Sequence, residues 1–247
     1  MKLTVIGSGD AFGSGGRLQS CYHVSTDGGE FLIDCGATTI MGFNRASRSP
    51  DRVGTIFISH LHGDHFAGLV WWLLHALHVT RRSAPLAIVG PEGIKERYTA
   101  AAEALFPGTT ARSPGFELSW HEFAPQTPLE VNGITATPHT VSHPSGAPSY
   151  GIRFEADGKI IGFSGDTEWV DELINIADRA DLYITECYAF DAQVPYHMNW
   201  QQLSQKLDGV GARRIMLTHM NDAMLAKAGS IEHPRVLIAK DGMEVEI

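Results

Sequence analysis

The sequence predicts an α/β fold in which two β-sheets pack together and helices cover them. Three observations lead there. Apolar runs of strand length, bounded by Gly, Asp and Pro, recur from one end of the chain to the other. Segments of helical periodicity are interleaved with them in both halves, which suits two packed sheets with helices outside. Nothing reads as a linker: the Pro/Ser-rich patches at 47–51 and 144–149 are short and lie between apolar segments. The 247 residues are therefore expected to form one domain, 1–247.

In chain order, the first strand is expected at 3–6, running into a Gly-rich loop, followed by strands at 21–24 and 31–33, the latter closed by Asp34. The strand at 55–59 leads into a histidine-rich loop, and another follows at 86–89. Further runs fall at 116–119, 135–142, 150–155 and 159–164, the last two joined by the turn Asp157-Gly158. Runs at 182–186 and 214–218 and a terminal hairpin turning at Asp241-Gly242 complete the set. Helices are expected at 68–79, 93–105, 169–178, 200–207 and 223–228. The first is apolar around almost its full circumference over 69–77 (Leu-Val-Trp-Trp-Leu-Leu-His-Ala-Leu). Such a helix is either buried or shared with a partner, so a homodimer is expected, with an ordinary core helix as the alternative.

Bulk properties exclude several classes. Lys and Arg number 19 against 28 Asp and Glu, a formal net charge of −9, the wrong sign for general electrostatic binding of nucleic acid. The start of the chain lacks the features of a signal peptide. No run approaches the ~18 apolar residues of a membrane span, since the longest is broken by His75. Cys21, Cys35 and Cys187 are odd in number and show no paired spacing. They fit neither a disulfide framework nor a Cys-type zinc site, and a cytoplasmic location is expected.

The chemistry is concentrated after the fourth strand, in His60-Leu61-His62-Gly63-Asp64-His65. Three imidazoles and one carboxylate within six residues form a dense set of borderline ligands suited to zinc and similar ions. Gly63 is expected to allow a tight backbone path, so that the side chains reach two neighbouring centres. Gly7-Ser8-Gly9 does not continue as a dinucleotide-binding loop, because no helix start follows. His139 shares a face with His143, where it could line the pocket, though a satisfied histidine that binds no metal is the preferred reading. His75 and His78 are read as packing or interface residues.

These residues make the chain resemble the metallo-β-lactamase superfamily over nearly its whole length. Four further signatures match: Asp34 before Cys35-Gly36, His143 at the end of 137–143, Asp166 within 162–169, and His219 after 214–218. The resemblance implies a four-layer αββα sandwich of two mixed β-sheets packed face to face. It also implies two divalent metal ions, zinc in the first instance with manganese or iron as alternatives. His60, His62 and His143 would hold one ion, Asp64, His65 and His219 the second, and Asp166 would bridge them. Asp64 counts among the catalytic residues too. Asp34 would support the histidine loop without binding metal, or simply form the turn before Gly36. His62, where the oxygen-reducing di-iron branch has a glutamate, favours the hydrolytic branch.

Within the superfamily the Gly-Ser-Gly loop, the histidine loop and Ser149-Tyr150-Gly151 look most like the RNase Z-type branch. That branch pairs a glutamate with a later histidine to move a proton, and Glu186 and His197 fall where those motifs belong. Cys187 and Met198-Asn199 depart from the usual neighbours, so His197 could instead cap the helix at 200–207. The short segment between His143 and Asp166 leaves no room for the basic arm of tRNA-processing members. The first expectation is therefore hydrolysis of a small phosphodiester, such as a cyclic nucleotide or cyclic sugar phosphate, by attack of a metal-bound hydroxide, with His197 protonating the leaving oxygen. The alternatives are a carboxylic substrate (lactone, thioester, β-lactam or arylester), an RNase Z-like RNA endonuclease, and a non-catalytic binding relative.

Overall fold

The computed structural model describes all 247 residues, and the apolar runs become two seven-stranded sheets. β1 (Lys2–Gly7), β2 (Cys21–Thr26), β3 (Gly29–Ile33), β4 (Val53–Phe57), β5 (Leu86–Gly90) and β6 (Leu118–Glu122) lie in the first sheet. β7 (Leu129–Val131), β8 (Ile134–Thr140), β9 (Tyr150–Ala156), β10 (Lys159–Phe163), β11 (Leu182–Glu186), β12 (Ile215–Thr218) and β13 (Val236–Ile238) form the second. β14 (Glu244–Glu246) returns to the first, giving the orders β14-β1-β2-β3-β4-β5-β6 and β13-β12-β11-β10-β9-β8-β7. Both sheets are mixed. In the first, β14 to β3 are antiparallel and β3 to β6 parallel. In the second, β7 to β10 are antiparallel and β10 to β13 parallel.

Alternation along the strands sends one set of side chains into the space between the sheets. Tyr22, Phe31 and Phe57 of the first sheet meet Phe154 and Phe163 of the second, with the Phe57 and Phe154 rings 5.1 Å apart. The opposite faces are covered by helices. α1 (Thr39–Arg45), α2 (Gly63–Phe66), α3 (Gly68–His75) and α4 (Ile94–Leu105) accompany the first sheet, and Phe43 meets Trp72 edge-on at 5.0 Å beneath them. α5 (Glu172–Ala177), α6 (Trp200–Ser204) and α7 (Asp222–Ala228) cover the second. This is the four-layer αββα sandwich. No helix is long and apolar enough to cross a membrane.

The terminal hairpin is not formed. β13 pairs with β12 in the second sheet, whereas β14 crosses to pair antiparallel with β1 in the first. Asp241-Gly242 does turn the chain, with Gly242 at φ +82°, but the Asp241 carboxylate is spent on the first sheet's loop. It accepts the N–H and hydroxyl of Ser8 at 2.9 and 2.8 Å and the N–H of Leu18 at 2.7 Å. A local turn signal cannot say which strand edge its far side will cover, and here the open edge of β1 takes it. The helix expected over 68–79 also changes character: α3 stops at His75 and Ala76–Thr80 widens into a π-helical turn. Its circumference is not uniform either, since Leu69, Val70, Trp72, Leu73 and Ala76 are buried while Trp71 is 37% exposed.

Candidate metal centre

Most residues of the site stand at or just past the end of a strand, at one common end of the two sheets. Asp34 follows β3, the histidine loop follows β4, Asp166 follows β10, Glu186 ends β11 and His219 follows β12. Asp34 and His219 adopt left-handed backbone, φ +60° and +55°, a conformation that costs free energy in non-glycine residues and recurs at functional sites. Asp34 is fully buried. Its carboxylate accepts the N–H of Ser59 at 2.8 Å, the Ser59 hydroxyl at 2.9 Å and Nδ1–H of His65 at 2.6 Å. With that proton placed on Nδ1, the Nε2 lone pair of His65 faces the cluster. Ser59 in turn can accept Nδ1–H of His60 at 3.1 Å, which presents His60 by its Nε2 as well.

The close backbone approaches that seat the histidine loop fall on two other glycines. A Cβ at Gly63 would meet only Ala67, at 3.8 Å. One at Gly36 would fall 2.3 Å from the Asp64 carbonyl, and one at Gly68 2.1 Å from the carbonyl of Gly36. These two glycines let the Asp34–Gly36 turn nest against α2, which carries Asp64 and His65.

Two donor groups result. His60, His62 and His143 form one; Asp64, His65, Asp166 and His219 form the other, with ligand atoms in each lying within 4.8 Å of one another. A single oxygen, Asp166 Oδ2, faces both. It is 3.8 Å from His60 Nε2 and 3.9 Å from His143 Nε2 on one side, and 3.4 Å from His65 Nε2 and 3.3 Å from His219 Nε2 on the other. His143 donates Nδ1–H to the Tyr196 carbonyl at 3.2 Å, and its Nε2 lies 2.9 Å from His62 Nδ1.

Electrostatics suit a cation. Burial opposes ionisation of Asp166, yet His219 and His65 hold its carboxyl well below the usual range. Burial and then the charge on His65 push His60 well below its ordinary value, so it is a neutral donor. Burial would lower His219, but Asp166 and Asp64 raise it to about 9. The fit to divalent ions rests on one further atom: His60 Nε2 is buried without any hydrogen-bond partner. A buried lone pair aimed at a carboxylate oxygen is costly alone and satisfied by a metal between them.

Glu186 and His197 are brought to the same cleft. Oε2 of the buried Glu186 accepts Nδ1–H of His197 at 3.1 Å, and its Oε1 accepts the N–H of Thr167. The His197 ring stacks parallel to His219 at 6.0 Å and stands 5.0 Å from His143. Burial pulls the His197 pKa down, but the bond to Glu186 and its charge carry it above the ordinary value. His197 does not cap α6; Asn199 does, accepting the N–H of Gln202 at 2.8 Å.

His139, His75 and His78 lie outside the cluster. His139 is satisfied by Glu172 of α5 at 3.1 Å. His75 and His78 line a separate groove of about 710 Å³ with Trp71, Val79, Leu105 and Phe106. Four participants had no sequence expectation: Ser59, the Tyr196 carbonyl, Tyr188, whose ring lies 4.8 Å from His197, and Ser8, whose carbonyl accepts the N–H of His219 at 3.2 Å. Only Ser59 carried a signal, as a hydroxyl ending an apolar run directly before a candidate donor histidine.

A family model described as anti-Pycsar protein Apyc1 matches residues 1–241. A ribonuclease Z of Methanosarcina acetivorans is 24% identical over 301 aligned positions, covering 100% of this chain and 98% of the relative. That alignment exceeds the 247 residues here, so the relative carries segments that this chain lacks. The metallo-β-lactamase fold protein YhfI from Bacillus subtilis superposes with a TM-score of 0.80 at 23% identity, over 99% of this chain and 98% of its own. A diphosphatase of the PhnP family gives a TM-score of 0.80 at 19% identity, over 100% and 97%. The two structural likenesses establish a shared fold.

Proposed function

The chain belongs to the anti-Pycsar protein Apyc1 family, and on that premise, together with its place among the RNase Z-like members of the metallo-β-lactamase superfamily, we propose that it is a dinuclear metal-dependent hydrolase of small phosphodiesters. A cyclic nucleotide or cyclic sugar phosphate represents the class. The observation that carries this reading is the Glu186–His197 pair stacked against His219 at the donor cluster. A thioester or arylester, with its good leaving group, has little need of a proton donor there, whereas an alkoxide leaving from phosphorus does.

His60, His62 and His143 would hold one ion and Asp64, His65 and His219 the other, with Asp166 Oδ2 facing both. Zinc suits this nitrogen and oxygen set best, with manganese and iron as alternatives. Bound there, two divalent ions lower the pKa of water towards ~7 and offset charge developing on phosphorus. Asp34 and Ser59 fix the tautomers of His65 and His60, and the Tyr196 carbonyl fixes that of His143. Asp64, with Oδ2 3.2 Å from His219 Nε2, orients the attacking water. As the bond from phosphorus to the leaving oxygen breaks, His197 gives that oxygen its Nε2 proton, and Glu186 stabilises the imidazolium until then. From a cyclic phosphodiester the product is a single ring-opened phosphomonoester whose freed hydroxyl stays on the same molecule; an acyclic one gives an alcohol and a phosphomonoester.

The name of the M. acetivorans relative favours an RNA endonuclease as the second reading. The net charge of −9 and the short segment between His143 and Asp166 weigh against it. A panel of phosphodiester, lactone and β-lactam substrates and a 3′-extended tRNA, with zinc or manganese, separates the readings. Turnover of the lactone or β-lactam alone sinks the phosphodiesterase, and turnover of the tRNA alone establishes the nuclease.

Two further properties belong to this proposal. Two copies pair through the groove beside α3, where Trp71, Val79, Leu105 and Phe106 remain 37–67% exposed, a degree unusual for such clustered apolar groups. The three buried free thiols fit a cytoplasmic location.

A further inference from the structure

The Gly7-Ser8-Gly9 loop supplies no donor to the cluster, yet one of its atoms reaches the main chain that carries a donor. The Ser8 carbonyl accepts the N–H of His219 at 3.2 Å and the Thr218 hydroxyl at 3.3 Å. We propose that this loop, closed by Asp241, is a positioning device for His219. It aims that imidazole from the main-chain side, and so sets the affinity of the ion that Asp64, His65 and His219 would share. The proposal rests on the two-ion reading of the donor cluster.

His60, His65 and His143 are each held by the ring nitrogen that faces away from the cluster, through Ser59, Asp34 and the Tyr196 carbonyl. Such a partner fixes the direction of a ligand imidazole. His219 is held differently. Its Nδ1 is buried and meets no protein partner, so the aim of the ring falls to its own main chain. That main chain is left-handed, φ +55°, a conformation that persists only where its surroundings over-determine it. The Ser8 carbonyl takes its N–H, and Tyr22 backs the neighbouring Thr218 hydroxyl at 2.5 Å.

The Ser8 peptide is itself immobilised. Gly9 N–H, on the same peptide as the Ser8 carbonyl, donates to the Leu18 carbonyl at 2.7 Å. Asp241 lies at the surface, but its carboxylate bonds two buried residues. Oδ1 accepts the Ser8 N–H at 2.9 Å and the Ser8 hydroxyl at 2.8 Å, and Oδ2 accepts the Leu18 N–H at 2.7 Å. Arg17 adds a bond to Ser8 Oγ at 3.2 Å and anchors on the Ala239 carbonyl at 2.7 Å. Bonds to an ionised acceptor are the stronger kind, and three converge here on one loop. The two glycines permit the approach: a Cβ at Gly7 would lie 2.0 Å from the Gln19 carbonyl oxygen, and one at Gly9 2.9 Å from that of Leu18.

A plain staple for the C-terminal crossover would touch stability alone, whereas a positioning device also touches one ion. The test titrates zinc into the metal-free protein against a chromogenic chelator, and records its melting temperature and the visible bands of the cobalt-loaded form. Asp241→Asn turns an N–H towards one of the N–H groups that the carboxylate accepts. It should weaken one of two equivalents by about tenfold, the lower end of the range for groups that orient a ligand directly, and alter the cobalt bands. Ser8→Ala loses the hydroxyl bond but keeps the carbonyl, and should shift the same equivalent by less; it decides the matter if Asp241→Asn does not fold. Val245→Ala, which opens a cavity where β14 lies on β1, is the control. It should lower the melting temperature with both affinities and the cobalt bands as in wild type. Unchanged affinities in Asp241→Asn and Ser8→Ala, or losses that Val245→Ala reproduces, overturn the positioning role and leave the two-ion centre standing. A wild type that binds fewer than two ions overturns both.

Discussion

Asp34 and His65 share a proton across 2.6 Å, carboxylate Oδ2 to imidazole Nδ1, in a place neither water nor ligand can reach. Asp34 is one strand removed from the histidine loop and is held in left-handed backbone to make this contact. The ring it aims carries its other nitrogen 3.3 Å from Asp64 and 3.4 Å from Asp166.

Replacing Asp34 by Ala should therefore loosen metal at the His65 side first. Losing such an orienting carboxylate costs ~10–100-fold in affinity. Chelator competition with the wild type as reference should show one of two equivalents weakened by that factor. Two equivalents of unchanged affinity would mean that Asp34 only forms the turn.

Asp64→Ala and His65→Ala should abolish hydrolysis while circular dichroism and the thermal transition show a folded chain. Both side chains are buried, but they sit on the four-residue α2 at the sheet edge, outside the packed clusters that hold the layers together. Activity in either variant within tenfold of wild type would displace these residues from the reaction.

His197→Ala should lower kcat by ~10²–10⁴ for an alkyl leaving group and far less for p-nitrophenolate, which hardly needs the proton. The pH dependence follows from the pair. Burial depresses His197, but Glu186 outweighs it and raises the pKa above the ordinary value of 6.5. The working form of His197 is the protonated one, so it sets the alkaline limb: hydrolysis of the alkyl phosphodiester should rise on the acid side as hydroxide forms and decline as pH rises through the raised His197 pKa. Stability has the same sign: the pair's contribution is full below 6.5 and is lost as pH climbs through the folded value. The alkaline decline should vanish in His197→Ala. Equal losses on both leaving groups would remove the acid role.

The donor cluster was legible because its chemistry is dense and local: four donors in six residues, directly after a strand, form a set that suits a divalent ion. Single donors far apart, such as His143 and His219, were legible only through resemblance. The Tyr196 carbonyl and Ser8 were not legible at all, since a main-chain oxygen has no sequence identity and its role comes from where the chain folds back. The β14 crossover shows the same limit. Asp241-Gly242 announces a turn, but the partner of the strand beyond it is decided by an open edge more than two hundred residues away.

Sedimentation at micromolar concentration should give a particle of twice 26.9 kDa. Trp71→Glu or Phe106→Glu, placed where those rings meet edge-on at 6.3 Å in the groove, should return it to the single-chain mass with hydrolysis of bis(p-nitrophenyl) phosphate retained. A wild type that sediments as one chain would leave the groove without a partner copy.

The crossing of β14 to β1 has a consequence in time. Ser8 steadies His219 and is itself gripped by Asp241, so a residue in the loop after β1 is held in part by one made 233 residues later. At ~5–20 residues per second of synthesis, that grip waits roughly 10–50 s after Ser8 is made. Through most of that interval the His60–His65 loop is already complete, while His219 does not yet exist. A nascent chain thus displays three imidazoles and a carboxylate before it owns the pocket that disciplines them, and the pairing of distant strands is slow in its own right. The ion taken up first would then be chosen by whichever metal is most available during translation, not by the finished geometry.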